Sequence, residues 1–424
     1  MQAIRDQGPA RMLLSVLSRT SSVSAPVHSH SYCTMPEALR PAFGYCVQQV
    51  REYDYLNYIW VAQMPKDLRP ALFALRAFNI ETALVADHVR SKEAVVGQMR
   101  FHWWRDAVKA AYEDRPPSHP VALALAHVLH SPTPASLAAA SASSTQKAEE
   151  STNNSSSSGS SSDSGPSCSS SCSSRGAAGS SSSSNFDAFF GSAGAGGAAG
   201  AGGTSGKAAS GRSSSSGAAA AAASGPARFS RYCFKRIIDA READFADPQP
   251  PLDLGALEQY AEGTASQLLY LQLAAAGIKH SEADHAASHL GRAAGITTLL
   301  RGTASHAAAR RCYLPVDLCA EARVSQEDVY GKVVSEGLRD VVHKVASLAK
   351  GHLDEARRLA GRLPPGAAGL MLPAVAVDRY LGALEAANFD PYDARLLREH
   401  GGGSGGAPLS YVMAVKWHQM RGTY

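Results

Sequence analysis

The stretch GITTLLRGTASHAAARRCYLP, Gly295 to Pro315, decides how the rest of the chain is read. It continues an apolar periodicity that runs from Glu282 to Gly302, the pattern of a helix with one buried face. Gly302 and His306 stand four residues apart and so project from the same side of a helix. Arg301, Arg310 and Arg311 surround them, and no carboxylate occurs in the stretch. The arginines fit either a retained affinity for anions or a solvated basic rim.

Working outward, the same periodicity recurs on both sides of a long polar tract. Asp67 to Val89 reads as one amphipathic helix, with Leu68, Leu72, Leu75, Phe78 and Val85 spaced by threes and fours apart from a break at Thr82. Met99 to Glu113 is a second, stopped by Pro116 and Pro117. Beyond the tract, residues 229–245, 254–276, 326–360 and 372–387 repeat the pattern. A last helix, Leu409 to Met420, is expected to dock through Leu409, Val412 and Trp417. No segment alternates with period two. The expected fold class is all-α, with Pro and Gly marking the connections.

Composition sets the domain count. The chain has 424 residues, 45% of them hydrophobic, enough for two or three domains. Residues 131–226, however, are almost wholly Ser, Gly and Ala, a composition that cannot bury enough apolar surface to offset the entropy of ordering it. The tract is expected to be a disordered insertion, tolerated because each doubling of a flexible loop costs only about 0.6 kcal/mol. One helical domain is then expected, its first part at 36–130 and its second at 227–424. Residues 1–35 carry Arg5, Arg11 and Arg19 with Asp6 as their lone acid and are Ser-rich, as in an organelle transit peptide. A mitochondrial address is expected, with the chloroplast as alternative. A net charge of +4 from 41 basic and 37 acidic side chains is too even for a nucleic-acid partner. Seven scattered cysteines suit a reducing compartment.

Specific strings carry a resemblance. FALRAFN at 73–79, WWRDAVKAAYE at 103–113, HPVALAL at 119–125, YAEGTASQLLYL at 260–271, AAGITTLLR at 293–301 and RRCYLP at 310–315 resemble the squalene/phytoene synthase family. The likeness runs from about Gly44 to the C-terminus and implies an isoprenoid-synthase-like helical domain. YCVQQVREYDY at 45–55, DHAASHLGRAAGI at 284–296 and VSQEDV at 324–329 are similar to a mitochondrial branch of that family that serves respiratory complex I assembly.

Ionising an allylic diphosphate requires magnesium held by carboxylates, and a DxxxD pair places two of them on one helix face. By the resemblance the first pair falls at Ala83 and Asp87 and the second at Gly302 and His306, with Arg76, Tyr260 and Arg301 as further positions of the diphosphate pocket. One carboxylate of four remains, and an imidazole does not replace a hard-metal ligand. No catalytic residue, metal or cofactor is therefore expected. Asp87 reads equally as a solvent-facing helix residue, and Glu81 sits off the stripe. Asp284, His285 and His289 lack an evident further zinc ligand and read as surface or packing residues. The resemblance implies a non-catalytic factor acting early, in biogenesis of a membrane subunit, peripherally on the matrix face of the inner membrane. Its implied partners are complex I intermediates or membrane subunits, with a lipid or prenyl ligand in the old cavity. An active prenyl-diphosphate transferase is the alternative.

Overall fold

The computed structural model describes residues 36–89, 94–132, 229–400 and 408–424. The expectations for residues 1–35 and 133–226, and for the glycine linker at 401–406, lie outside them. Among the described residues every regular element is helical.

Before the tract come α1 (Arg40–Tyr53), α2 (Tyr55–Val61), α3 (Arg69–Ala83), the single turn α4 (Val85–His88), α5 (Ala94–Tyr112) and α6 (Pro120–His130). After it follow α7 (Arg231–Ala246), α8 (Leu254–Ala261), α9 (Gln267–Ala276), α10 (Ser281–Arg301), α11 (Thr303–Ala308), α12 (Val316–Glu321), α13 (Gln326–Tyr330) and α14 (Glu336–Arg358). Then come α15 (Ala367–Leu370), α16 (Pro373–Ala386), α17 (Ala394–His400) and α18 (Leu409–Arg421). Proline occupies the first turn of α1, α3, α6 and α16, where its missing N–H costs nothing. Asp253 caps α8 by accepting from Ala256 N at 2.7 Å, and Ser335 caps α14 by accepting from Leu338 N at 3.1 Å.

The helices on either side of the tract form one core. Phe78 of α3 packs edge-on against Trp104 of α5 and Phe234 of α7, with ring centroids 5.6 and 5.2 Å away. Arg105 of α5 binds Asp239 and Glu242 of α7, and the Tyr112 hydroxyl donates to the Phe229 carbonyl at 3.1 Å. The central layer is α10, which lies along α14 and is buried through Ala286, Leu290, Ala293 and Ile296. Its other side meets a five-residue π-helical turn, Glu262–Ser266, between α8 and α9. Contact there is so close that a Cβ on Gly291 would sit 2.3 Å from Ser266 Cα, and one on Gly295 2.6 Å from Ala261 Cβ. Glu262, in the same turn, accepts from Tyr270, Ser288 and Arg292 at 2.9, 2.9 and 3.1 Å.

Four details depart from the sequence reading. The helix expected over 67–89 breaks at Leu84, because Arg241 and the Thr82 hydroxyl both bind the Asn79 carbonyl, an acceptor of its last turn. Residues 326–360 form two helices: Lys332 adopts a left-handed φ of 56° and Ser335 starts a new N-cap. Residues 254–276 are interrupted by the π turn. Finally, α18 docks through Tyr411 and Val415, with Val412 half-buried against the core as expected, while Leu409 and Trp417 point outward. The two sets lie on opposite sides of the helix, and only the first reaches α2 and α16.

Candidate functional site

The end of α10 and the start of α11 meet at Gly302, whose φ of −79° and ψ of −4° tighten the chain between two helices. His306 lies back across this glycine. A Cβ at position 302 would sit 2.5 Å from the His306 ring, so a side chain there would displace the imidazole. The ring packs edge-on against Tyr313, centroids 4.7 Å apart. Burial, and then the nearby Arg311 charge, push His306 down to about 4, leaving it neutral at physiological pH. Its Nδ1 is buried with no hydrogen-bond partner among the described residues.

Tyr313 continues the chain of contacts. Its hydroxyl donates to Asp244 at 2.9 Å, and Arg311 donates to the other oxygen of the same carboxylate at 2.8 Å. Asp244 belongs to α7, one turn after Arg241. Burial raises the Asp244 pKa, and Arg311, Tyr313 and Arg241 oppose the rise. The Tyr260 ring, at the end of α8, stands 6.3 Å from Tyr313, and its hydroxyl pairs with Arg241. Arg241 then crosses to α3. It donates to the Asn79 carbonyl and the Thr82 hydroxyl, and to Asn79 Oδ1 at 2.7 Å. Desolvation lowers the pKa of this guanidinium, while Tyr260 and Asp244 hold it up. A polar network therefore bridges α3, α7, α8 and the segment that follows α11.

Arg76 and Arg301 belong to a neighbouring cluster. Arg76 is buried on α3, donates to Asp54 at 2.9 Å and stands 5.1 Å over the Trp60 ring. Tyr411 of α18 inserts beside it and donates to the Leu56 carbonyl at 3.1 Å. Burial raises the Tyr411 pKa, as does Asp54, against the charges of Arg76, Arg301 and Arg379. The C-terminal helix thus closes over the arginines.

Of the positions singled out from sequence, Tyr260, Gly302 and His306 come together around Tyr313, and Arg76 and Arg301 converge on Tyr411. Ala83 and Asp87 are exposed at the broken end of α3. Glu81 turns inward, where the Tyr45 hydroxyl donates to it at 2.6 Å. Sequence reasoning missed Asn79, Arg241, Asp244 and Tyr313. The available signal was register: Arg241 falls three and four residues after Ile238 and Ile237, which are buried in α7.

The histidine pair on α10 gains a neighbour. His289 Nδ1 lies 2.9 Å from His352 Nδ1 of α14, and His352 Nε2 lies 2.5 Å from Glu258. Among the described residues no three His, Cys, Asp or Glu side chains are grouped to hold a metal ion. A cavity of about 160 Å³, lined by Leu314, Val324 and Val329 among others, lies under α12 and α13. It is smaller than a usual small-molecule site of about 300 Å³ or more.

This helical architecture, with two polar clusters between the ends of its central helices, defines an isoprenoid-synthase-type domain. The chain belongs to the squalene/phytoene synthase family, whose profile matches residues 50–142 and 204–400. Among curated relatives, the Bos taurus protein called NADH dehydrogenase (ubiquinone) complex I, assembly factor 6 is 30% identical over 356 residues, covering 84% of this chain and 78% of the relative. Two solved structures share the fold. A dehydrosqualene synthase superposes with a TM-score of 0.55 at 13% identity, covering 91% of this chain and 98% of that one. The squalene synthase HpnC from Alicyclobacillus acidocaldarius superposes with a TM-score of 0.53 at 16% identity, covering 84% and 98%.

Proposed function

We infer that the protein is a mitochondrial assembly factor for respiratory complex I that uses a squalene/phytoene synthase fold for binding and not for prenyl-diphosphate chemistry. The similarity to the assembly factor 6 relatives, extending over most of both chains, supports the first half. The donor set supports the second. Three of the four positions that the family chemistry fills with carboxylates hold Ala83, Gly302 and His306, and the fourth, Asp87, lies exposed at a broken helix end. Asp244, reached from the second pair through Tyr313, is already engaged by Arg311 and Tyr313. These residues do not fit a magnesium cluster, which needs several hard oxygen ligands around one anion.

The observation that carries this reading is Arg241. Its guanidinium ties α3 to α8 beside the end of α3, so protein contacts rather than metal ligands occupy the helix end where the first carboxylate pair is expected. We place the protein peripherally on the matrix face of the inner membrane, acting early on a membrane subunit, with the apolar interior between the old pocket helices as the place for any lipid. No described helix is long and apolar enough to cross a membrane. The deciding experiment is a blue-native profile of complex I from a strain lacking the protein, where loss of mature complex I is expected and a normal profile would sink the assignment. Purified protein given farnesyl or geranylgeranyl diphosphate and magnesium should yield no product, whereas turnover at an ordinary enzyme rate would establish the transferase instead.

A further inference from the structure

We propose that the C-terminal helix α18 is the membrane-docking element: its outer face lies in the interface of an anionic phospholipid bilayer. The inference rests on the peripheral-membrane part of the reading above and assigns it to particular residues.

The helix has two unlike faces. At roughly 100° per residue, Leu409, Met413, Trp417 and Met420 fall within an arc of about 80°. All four are between 52% and 66% exposed, a contiguous row of large apolar side chains facing water. Lys416 falls at one edge of that arc and Arg421 at the other. The Arg421 guanidinium stands 4.2 Å from the Trp417 ring, so cation and indole are presented together. No acidic residue occurs between 401 and 424. The opposite face anchors the helix to the body. Tyr411 and Val415 are buried, and Gln419 donates to the Gln63 carbonyl at 2.7 Å. The terminal Tyr424 donates to the Ala356 carbonyl at 2.7 Å. The apolar row is therefore held outward by a fixed helix.

Charge distinguishes a bilayer from a protein partner. An interfacial helix needs an apolar stripe at acyl-chain depth, cations at both margins to meet lipid phosphates, and an indole at the boundary. All three are present, with no carboxylate on the helix to oppose an anionic surface. A helix lying flat in this way buries its stripe without crossing the membrane.

The test uses the full chain and vesicles of phosphatidylcholine, with or without phosphatidylglycerol. Cosedimentation is expected with the anionic vesicles and should weaken with salt. Because Trp60 and Trp104 are buried and the half-buried Trp103 packs against Trp104 and His119, a blue shift of tryptophan emission on binding should come chiefly from Trp417 and vanish in Trp417→Phe. Met413→Ser with Trp417→Ser should lower partitioning by about tenfold or more, and Lys416→Gln or Arg421→Gln by about fivefold each at low salt. Met413, Trp417 and Arg421 are exposed and Lys416 half-buried; helical content and melting of each variant should be unchanged, so loss of binding is not loss of fold. Undiminished binding of the double variant, or an unshifted Trp417, overturns the assignment even if the protein still binds membranes through another face. Absence of vesicle binding together with a Trp417-dependent crosslink to a complex I subunit assigns the face to a protein and also overturns it. Trp417-dependent vesicle binding in a protein whose loss leaves complex I normal supports the docking helix and removes only the assembly role.

Discussion

The two helix ends at which the resemblance places carboxylate pairs differ sharply in this fold. At the end of α3 the chain breaks at Leu84, and Ala83 and Asp87 are exposed to solvent. At the end of α10 the chain closes up: Gly302 makes room for an imidazole, and Tyr313, Arg311 and Asp244 pack behind it. One of the two ends is surface and the other is interior. Arg241 links them, and its bonds to Asn79 and Thr82 help end α3 early. The lesson is that helix ends without paired carboxylates need not leave an empty pocket, because a single long cation from another helix can supply the cross-helix contacts.

Breaking the link should give the largest effect. Arg241→Ala removes contacts to α3 and α8 and leaves Asp244 with one cation fewer, and about 3–4 kcal/mol of stability should be lost. Thermal melting reads this, and an unchanged melting temperature would show that the network is ornamental. Next in size is a pH effect at the closed end. His306 has a folded pKa of about 4 against 6.5 unfolded, so its contribution is complete above pH 6.5 and is lost as the pH falls from 6.5 towards 4. The loss should reach at most about 3 kcal/mol. Denaturant titrations across that window should show a shallower slope in His306→Asn; an identical slope would assign the acid sensitivity elsewhere, for instance to half-buried His119.

Gly302→Asp sharpens the comparison further. The new side chain meets the His306 ring, and a cost of about 1–3 kcal/mol is expected. The matching change at the open end, Ala83→Asp, should fall within about 0.5 kcal/mol of zero because the site is exposed. Chemical denaturation of the two variants side by side gives the result, and equal costs would contradict the described difference between the ends. Neither variant, nor the pair together, should gain prenyltransferase activity, since Arg241 remains between them.

Much of the fold was legible because it rests on periodicity. Amphipathic spacing located α7, α10 and α16 to within a few residues, although 229–245 had to be read beside a polar tract. What failed was interruption. Nothing in the apolar pattern announces the π turn at Glu262–Ser266, because its cause is tertiary: α10 approaches through Gly291 and Gly295, and the turn fits against that close backbone. The break at Leu84 likewise depends on Arg241, which lies 157 residues further along the chain. At the site, Gly302 and His306 were visible as departures from a familiar pattern, and Tyr260 as part of a string. Arg241 and Asp244 look like ordinary helix charges until Ile237 and Ile238 reveal which face is buried. The outward turn of Trp417 was missed because an indole is normally expected to seek the core.

The contacts that join α3 and α5 to α7 and its leading residue Phe229 also bear on how the polypeptide could be divided. Phe78 against Phe234, Arg105 with Asp239, Tyr112 on Phe229 and Arg241 on Asn79 each join a residue before the serine-rich tract to one after it. None of them depends on an unbroken covalent path through the tract. A protease cut there should leave two fragments that stay associated and melt as one body, and separately synthesised halves should find each other.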